Sequence, residues 1–386
     1  MKNILLVIND MVLPNKGGGA PRLYAVARAF KRLGYNPIVF CPLGISEKEA
    51  FDKTGIKFIS MYNISRHDFK KIIKYAFYNP ILFLKILKLI KKYKTDLIFV
   101  HNAVCGFPSI VAGKLTGTPV VFDPTDFIAE FGKDSVQGRL KKLFFALVGK
   151  FEAWTIKKAD KVISNTLFIK NYLEKRYNRE IDIVYDGVNL KTFYPDKNRN
   201  DDKFVAVLQG GMDPQDGLEI IIPCIEKLKN SIPNFEFWIV GDGKILPSLK
   251  RKAQENNLDQ YFKYTGWVSQ DEVRKYISNA DVGLVILPNR LSGWIRITLR
   301  TFEYWACNLP IIAPNLSSMR EVTEDKFNCL YYEVGDSQSL ADKIYTLYKD
   351  SDLREKIKQN GFVDSKKFDD NLLADKIVNL CVREFF

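Results

Sequence analysis

The chain has 386 residues, 46% of them hydrophobic and 13% aromatic, and a formal net charge of +13. That is too long for one ordinary core and enough for two domains. The opening MKNILLVINDMVLP has too short an apolar run for a signal peptide, no window offers the roughly 18 uninterrupted apolar residues of a spanning helix, and the six scattered cysteines lack any C-x-x-C pair, so they read as reduced thiols of a cytoplasmic protein.

The first predicted strand is NILLVI (3–8). After a loop, NKGGGAPRLYAVARAF (15–30) opens a helix with Ala20, Leu23, Ala27 and Phe30 inward. Gly17, Gly18 and Gly19, just before a helix N-terminus, let backbone N–H groups approach an anion or a sugar closely. The spacing is neither G-x-G-x-x-G nor a P-loop, so nicotinamide and ATP are not indicated. Alone such a turn is as often a plain loop; its place after the first strand favours function. NPIVFC (36–41) and IKFIS (56–60) follow as strands.

Residues 66–94 then hold nine Lys/Arg against one acid, with Phe69, Ile72, Ile73, Ala76 and Phe77 at helical spacing. DLIFV (96–100) leads into His101 and Asn102, and Asp126 lies four residues beyond the strand PVVF (119–122). Open parallel sheets bind ligands at the carboxyl ends of their strands, which makes His101 and Asp126 candidate substrate contacts. The other histidine, His67, lies in the basic helix. A second basic helix covers 139–161, with seven Lys/Arg against two acids and Leu140, Leu143, Phe144, Leu147 and Val148 at helical spacing. KVIS (161–164) and IDIVY (181–185) complete this half.

The polar, turn-rich FYPDKNRNDDKF (193–204) reads as the linker. Beyond it come FVAVLQ (204–209), FEFWIVG (235–241), DVGLVI (281–286), LPIIA (309–313) and NCLYY (328–332). Continuous apolar strands alternating with helices imply α/β domains with parallel sheets covered on both faces and a cleft at their strand ends. Gly241 and Gly243 of VGDGK (240–244) form a strand-to-helix turn that can pack against a base or ribose. TLRTFEYWACN (298–308) reads as a helix of about three turns closed by Asn308, with Arg300 and Glu303 on one face and Arg296 near its start. No metal-ligand motif is present.

The two basic segments together carry the whole charge excess. Solvated lysines over a core stripe are the default for one such helix. Two in one half, one of them aromatic and apolar on nearly three sides, favour an anionic lipid surface. No nucleic-acid signature accompanies the charge, so no nucleic-acid partner is expected.

Taken in order, GGGAPR (17–22), ADKVISNT (159–166), YDGVNLKTFYP (185–195), LQGGMDPQDGLEIII (208–222), FWIVGDG (237–243), YTGWVSQDEV (264–273), FEYWACNLPIIA (302–313) and REVTEDKFNCLYYEVGD (320–336) resemble the family-4 glycosyltransferases with the GT-B fold. GGMDPQDGLE is similar to a subgroup associated with cell-surface polysaccharide assembly. The resemblance implies two Rossmann-like domains facing a cleft, 1–195 for the acceptor and 196–365 for the nucleotide sugar, with 366–386 as a helix returning to the first domain. It implies a metal-independent transferase that needs no cofactor, takes a UDP- or GDP-linked donor and retains anomeric configuration.

By the same resemblance Glu303 accepts from the ribose hydroxyls, while Gly210, Gly211, Gly241, Gly243 and the 17–19 loop line the nucleotide sugar. Ile295 stands where the family has a first glutamate, Gly211 and Asp216 where it has the diphosphate-binding arginine and lysine, and Thr125 where it has a histidine. Arg296 and Arg300 are therefore expected to compensate the diphosphate, with His101 and Asp126 orienting sugar and acceptor. The expected protein moves a hexose or N-acetylhexosamine to a lipid-linked or polysaccharide acceptor, peripherally on the inner face of the cell membrane. Two competing readings are a degenerate transferase acting as a membrane-associated scaffold or subunit, motivated by the missing cations and glutamate, and a sugar-nucleotide epimerase.

Overall fold

Strands form where β-branched, aliphatic and aromatic residues run without interruption, and such runs are buried on both faces of a parallel sheet. The computed structural model describes residues 1–14, 18–61, 69–125 and 138–386, except for the side chains of 69–78, 140–141 and 215. The chain divides into two compact units, Met1–Asp186 with Asp370–Phe386, and Gly187–Asp369.

The first unit holds β1 (Asn3–Val7), β2 (Asn36–Cys41), β3 (Lys57–Ser60), β4 (Leu97–His101), β5 (Val120–Asp123), β6 (Lys161–Ser164) and β7 (Asp182–Ile183). They pair in parallel in the order β3-β2-β1-β4-β5-β6-β7. The second unit holds β8 (Phe204–Gln209), β9 (Phe235–Val240), β10 (Phe262–Gly266), β11 (Val282–Leu284), β12 (Ile311–Pro314) and β13 (Leu330–Tyr332). Their order is β10-β9-β8-β11-β12-β13, again parallel. Strand order reverses at β1/β4 and at β8/β11, the switch points beside which such sheets bind ligands. Both halves are thus doubly wound, Rossmann-like α/β layers.

Several expectations change. β10 was not anticipated: it is an edge strand, half-buried and interrupted by the exposed Lys263, so it shows no continuous apolar run. The units part at Asp186/Gly187 rather than after residue 195. Residues 187–195 belong with the second unit because Val188 pairs with Asp369, Phe193 is buried, and Ser278 Oγ donates to Tyr194 O. Likewise the chain rejoins the first unit at Asp370, not 366. There the helix Asp370–Phe385 packs along Ala20–Arg32, tied by Arg28–Asp370 (2.6 Å) and Arg32–Asp375 (2.5 Å).

The helix Arg139–Lys158 turns part of its apolar stripe outward. Phe145, Glu152, Thr155 and Ile156 are buried, whereas Leu143, Leu147 and Phe151 are exposed at 68%, 51% and 47%. The periodicity locates an apolar stripe correctly but does not say that it points inward. Phe69–Tyr93 buries Leu82, Ile86, Leu89 and Ile90 and exposes Ile81 and Leu84, and both helices flank Ala103–Thr116.

Candidate active site

In the first unit the polar residues at the strand ends are wired together. Arg22, on the first turn of Ala20–Arg32, is buried and grips Asp123 at the end of β5 through two bonds, Nε to Oδ2 at 2.7 Å and Nη2 to Oδ1 at 3.0 Å. Its Nη1 donates to Val184 O, Tyr185 O and Asp186 Oδ1 at 2.9, 3.0 and 3.2 Å. Asp123 Oδ2 also lies 2.8 Å from His101 Nδ1, and Asn165 Nδ2 donates to Asp186 Oδ2 at 2.7 Å. Burial pushes both carboxyls up. For Asp123, Arg22 and His101 reverse this and hold it at about 2; for Asp186 burial prevails and its pKa stays raised.

His101 is fully buried, with Thr125 Oγ1 at 3.3 Å from its Nε2. A Cβ on Gly19 would fall 2.2 Å from that same nitrogen, so only glycine lets the helix start this close to the ring. Gly19 N–H is donated to Asp10 Oδ2 at 3.2 Å, while Gly18 is open on the side a Cβ would occupy. Asn102 caps the next helix by accepting from Cys105 N–H and donates to Asn9 Oδ1. His101 therefore sits beneath the glycine turn. Gly17, Asp126 and His67 lie outside the described residues.

In the second unit the loops after β8 and β9 are joined backbone to backbone. Met212 N–H donates to Asp242 O and Ile245 N–H to Met212 O. The space a Cβ would take on Gly241 is filled by Gly210 O at 2.1 Å, and on Gly243 by Met212 main chain at 2.3 Å. On the side a side chain would occupy, these two glycines thus serve loop-to-loop packing.

Beside them stands the helix Leu299–Ala306, entered from Thr298 in extended conformation and closed by Asn308 at φ 56°. Arg296 consequently precedes the helix instead of lying on its first turn. Its Nη1 bonds Asp216 Oδ1 at 3.1 Å and its Nε bonds Ser292 O at 2.6 Å. Arg290 reaches Pro214 O at 2.9 Å. Arg300 lies over Gly210, its Nη2 3.2 Å from where a Cβ would be, and its buried Nη1 has no partner among the described residues. Gly211 is nearly open. Glu303 accepts a hydrogen bond from Gln209 Nε2 at the end of β8. Burial raises its pKa to about 7, against the opposing pull of Gln209 and Arg300. A half-buried carboxylate, an unpartnered guanidinium nitrogen and a helix N-terminus thus converge on the carboxyl end of β8, an arrangement suited to a diol and an anion. Ile295 is fully buried, and its side chain is apolar.

Two family models match the chain: Glycosyltransferase Family 4 over residues 16–192, and Glycosyl transferases group 1 over 203–350. The chain belongs to the family-4 glycosyltransferases. This glycosyltransferase is 28% identical over 277 residues to an uncharacterized glycosyltransferase of Methanocaldococcus jannaschii, covering 71% of each chain. It is 25% identical over 325 residues to the UDP-Gal:alpha-D-GlcNAc-diphosphoundecaprenol alpha-1,3-galactosyltransferase of Escherichia coli, covering 77% of this chain and 79% of that one. Its fold matches the Anabaena HepE structure in complex with UDP-glucose at a TM-score of 0.77 and 16% identity, over 99% of this chain and 100% of the other. The two Rossmann-like units are those of the GT-B fold.

Arg22, Asp123, Asp186, Asn165 and Gln209 were not singled out from the sequence. One carried a signal: Asp123 directly follows an apolar strand run.

Proposed function

We propose that this glycosyltransferase moves a hexose or N-acetylhexosamine from a UDP- or GDP-sugar to a lipid-linked or polysaccharide acceptor, with retention at the anomeric carbon and without a metal. The observation that carries the reading is Glu303 set against Gln209, with Arg300 over Gly210, at the carboxyl end of β8. Glu303 accepts both ribose hydroxyls. Arg300, supported by Arg296 and the N-terminus of Leu299–Ala306, compensates the diphosphate. The bond from C1 to the diphosphate breaks, the acceptor oxygen bonds C1 on the same face, and its proton passes to the departing phosphate oxygen. No separate general base is required.

In the first unit Gly18 and Gly19 approach the donor, and His101 acts from beneath them, held by Asp123 and Arg22; Asp126 orients the acceptor hydroxyl. The Escherichia coli relative's diphosphoundecaprenol acceptor and UDP-Gal donor support a lipid-linked acceptor and UDP. Among the described residues no helix is long and apolar enough to cross a membrane. The exposed Ile81, Leu84, Leu143, Leu147 and Phe151, set among lysines, support peripheral binding to anionic lipid on the cytoplasmic face.

Calorimetric titration with UDP and GDP tests the reading. Micromolar binding of one nucleotide, lost in Glu303→Ala and weakened in Arg300→Ala more for the diphosphate than for the nucleoside, is expected. Absence of binding by either nucleotide to the folded protein overturns it in favour of a scaffold.

A further inference from the structure

The loop from β11 to Leu299–Ala306 holds one large side chain in solvent. Trp294 is 40% exposed, while its neighbours Gly293 and Ile295 are buried. The loop is fixed on several sides. Pro288 O would lie 2.0 Å from a Cβ on Gly293, and Ser318 Oγ donates to Gly293 O. Arg290 and Arg296 fasten the loop to Pro214 and Asp216 of the turn after β8. The indole itself is oriented, because its Nε1–H donates to Asn289 Oδ1 at 3.0 Å. The polar edge of the ring is therefore satisfied and its apolar face is displayed.

Residues 288–295 contain no acidic side chain, so a carboxylate from this loop cannot hold sugar hydroxyls. A pyranose also has a face of C–H groups, and a rigid aromatic ring recognises such a face at low entropic cost. The loop is tied to the turn after β8 and continues into the helix that carries Arg300 and Glu303, which places Trp294 at the same end of the sheet as the candidate nucleotide site.

We propose that Trp294 is a specificity-determining residue on which the transferred pyranose of the donor stacks. The proposal rests on the nucleotide-sugar reading above. The test is calorimetric binding of UDP, UDP-glucose, GDP and GDP-mannose to the whole chain and to Trp294→Ala and Trp294→Phe. The alanine variant is expected to weaken the nucleotide sugar about tenfold while leaving the nucleotide unchanged, and phenylalanine is expected to restore most of the difference. The side chain is surface-exposed, and an unchanged nucleotide affinity shows that each variant is folded. An unchanged ratio of nucleotide-sugar to nucleotide affinity in Trp294→Ala overturns the proposal and gives the indole to the acceptor or to another partner. Failure of the unaltered protein to bind any of the four overturns the nucleotide-sugar reading and this proposal with it.

Discussion

Replacing Arg22 with methionine keeps much of the aliphatic stem and deletes the guanidinium, leaving Asp123 and Asp186 without their cation. Five donated hydrogen bonds vanish. Removing one partner of a buried ion pair costs about 3–5 kcal/mol, because the remaining charge keeps its desolvation penalty and loses its compensation. A second gauge is Asp123, held at about 2 against an ordinary 3.8, which corresponds to roughly 2 kcal/mol favouring its ionised form in the fold. In the unaltered protein that contribution is complete above the ordinary value and disappears as pH falls towards 2. In the variant the sign reverses: the folded pKa rises above the unfolded one, so stability improves as pH falls. The deficit should be about 3–5 kcal/mol at pH 8 and smaller by ~1 kcal/mol or more at pH 5. The two units need not unfold together, so the proper assay is hydrogen exchange resolved on peptides from β4 and β5. An equal deficit at both pH values, or one below ~1 kcal/mol, would refute the charge argument. Adding Asp123→Asn to the variant should recover stability.

Nucleotide affinity should rise through pH 7 as Glu303 ionises, with roughly a fivefold loss between pH 7 and 6 that Glu303→Gln flattens; a flat profile in the unaltered protein would detach Glu303 from binding. Gly19→Ala would drive a methyl group into His101 Nε2, so the first unit should lose about 2 kcal/mol or more, read by hydrogen exchange in β4. Unchanged protection there would mean that the helix start can shift freely. Co-sedimentation with anionic but not neutral vesicles is expected, and Leu143→Ser with Leu147→Ser should weaken it several-fold; binding insensitive to lipid charge would return these helices to ordinary solvated surface.

The sheets were legible because a parallel strand buried on both faces is written as an unbroken apolar run. β10, at an edge and carrying Lys263, was not. Glu303 could be placed beside Arg300 because helical spacing is local, and Asn308 marked the helix end through its tolerance of positive φ. The cluster around Asp123 could not be read in this way. Asp123 and Asp186 lie 101 and 164 positions from Arg22, and only strand order brings the three together. Exposure was equally illegible on Arg139–Lys158, where Leu143 and Leu147 occupy a stripe that the fold turns outward.

The helix Asp370–Phe385 has a consequence for how the protein is made. The first unit takes residues from both sides of the second, whereas Gly187–Asp369 is contiguous. A ribosome adding about 5–20 residues per second needs roughly 10–40 s to go from Asp186 to Phe386. During that interval the emerging half lacks the salt bridges to Arg28 and Arg32, while the later half has all its residues once Asp369 is added. The contiguous unit is thus complete in sequence before the first unit is, and the lysine-rich helices spend that time on an unfinished domain, open to chaperones.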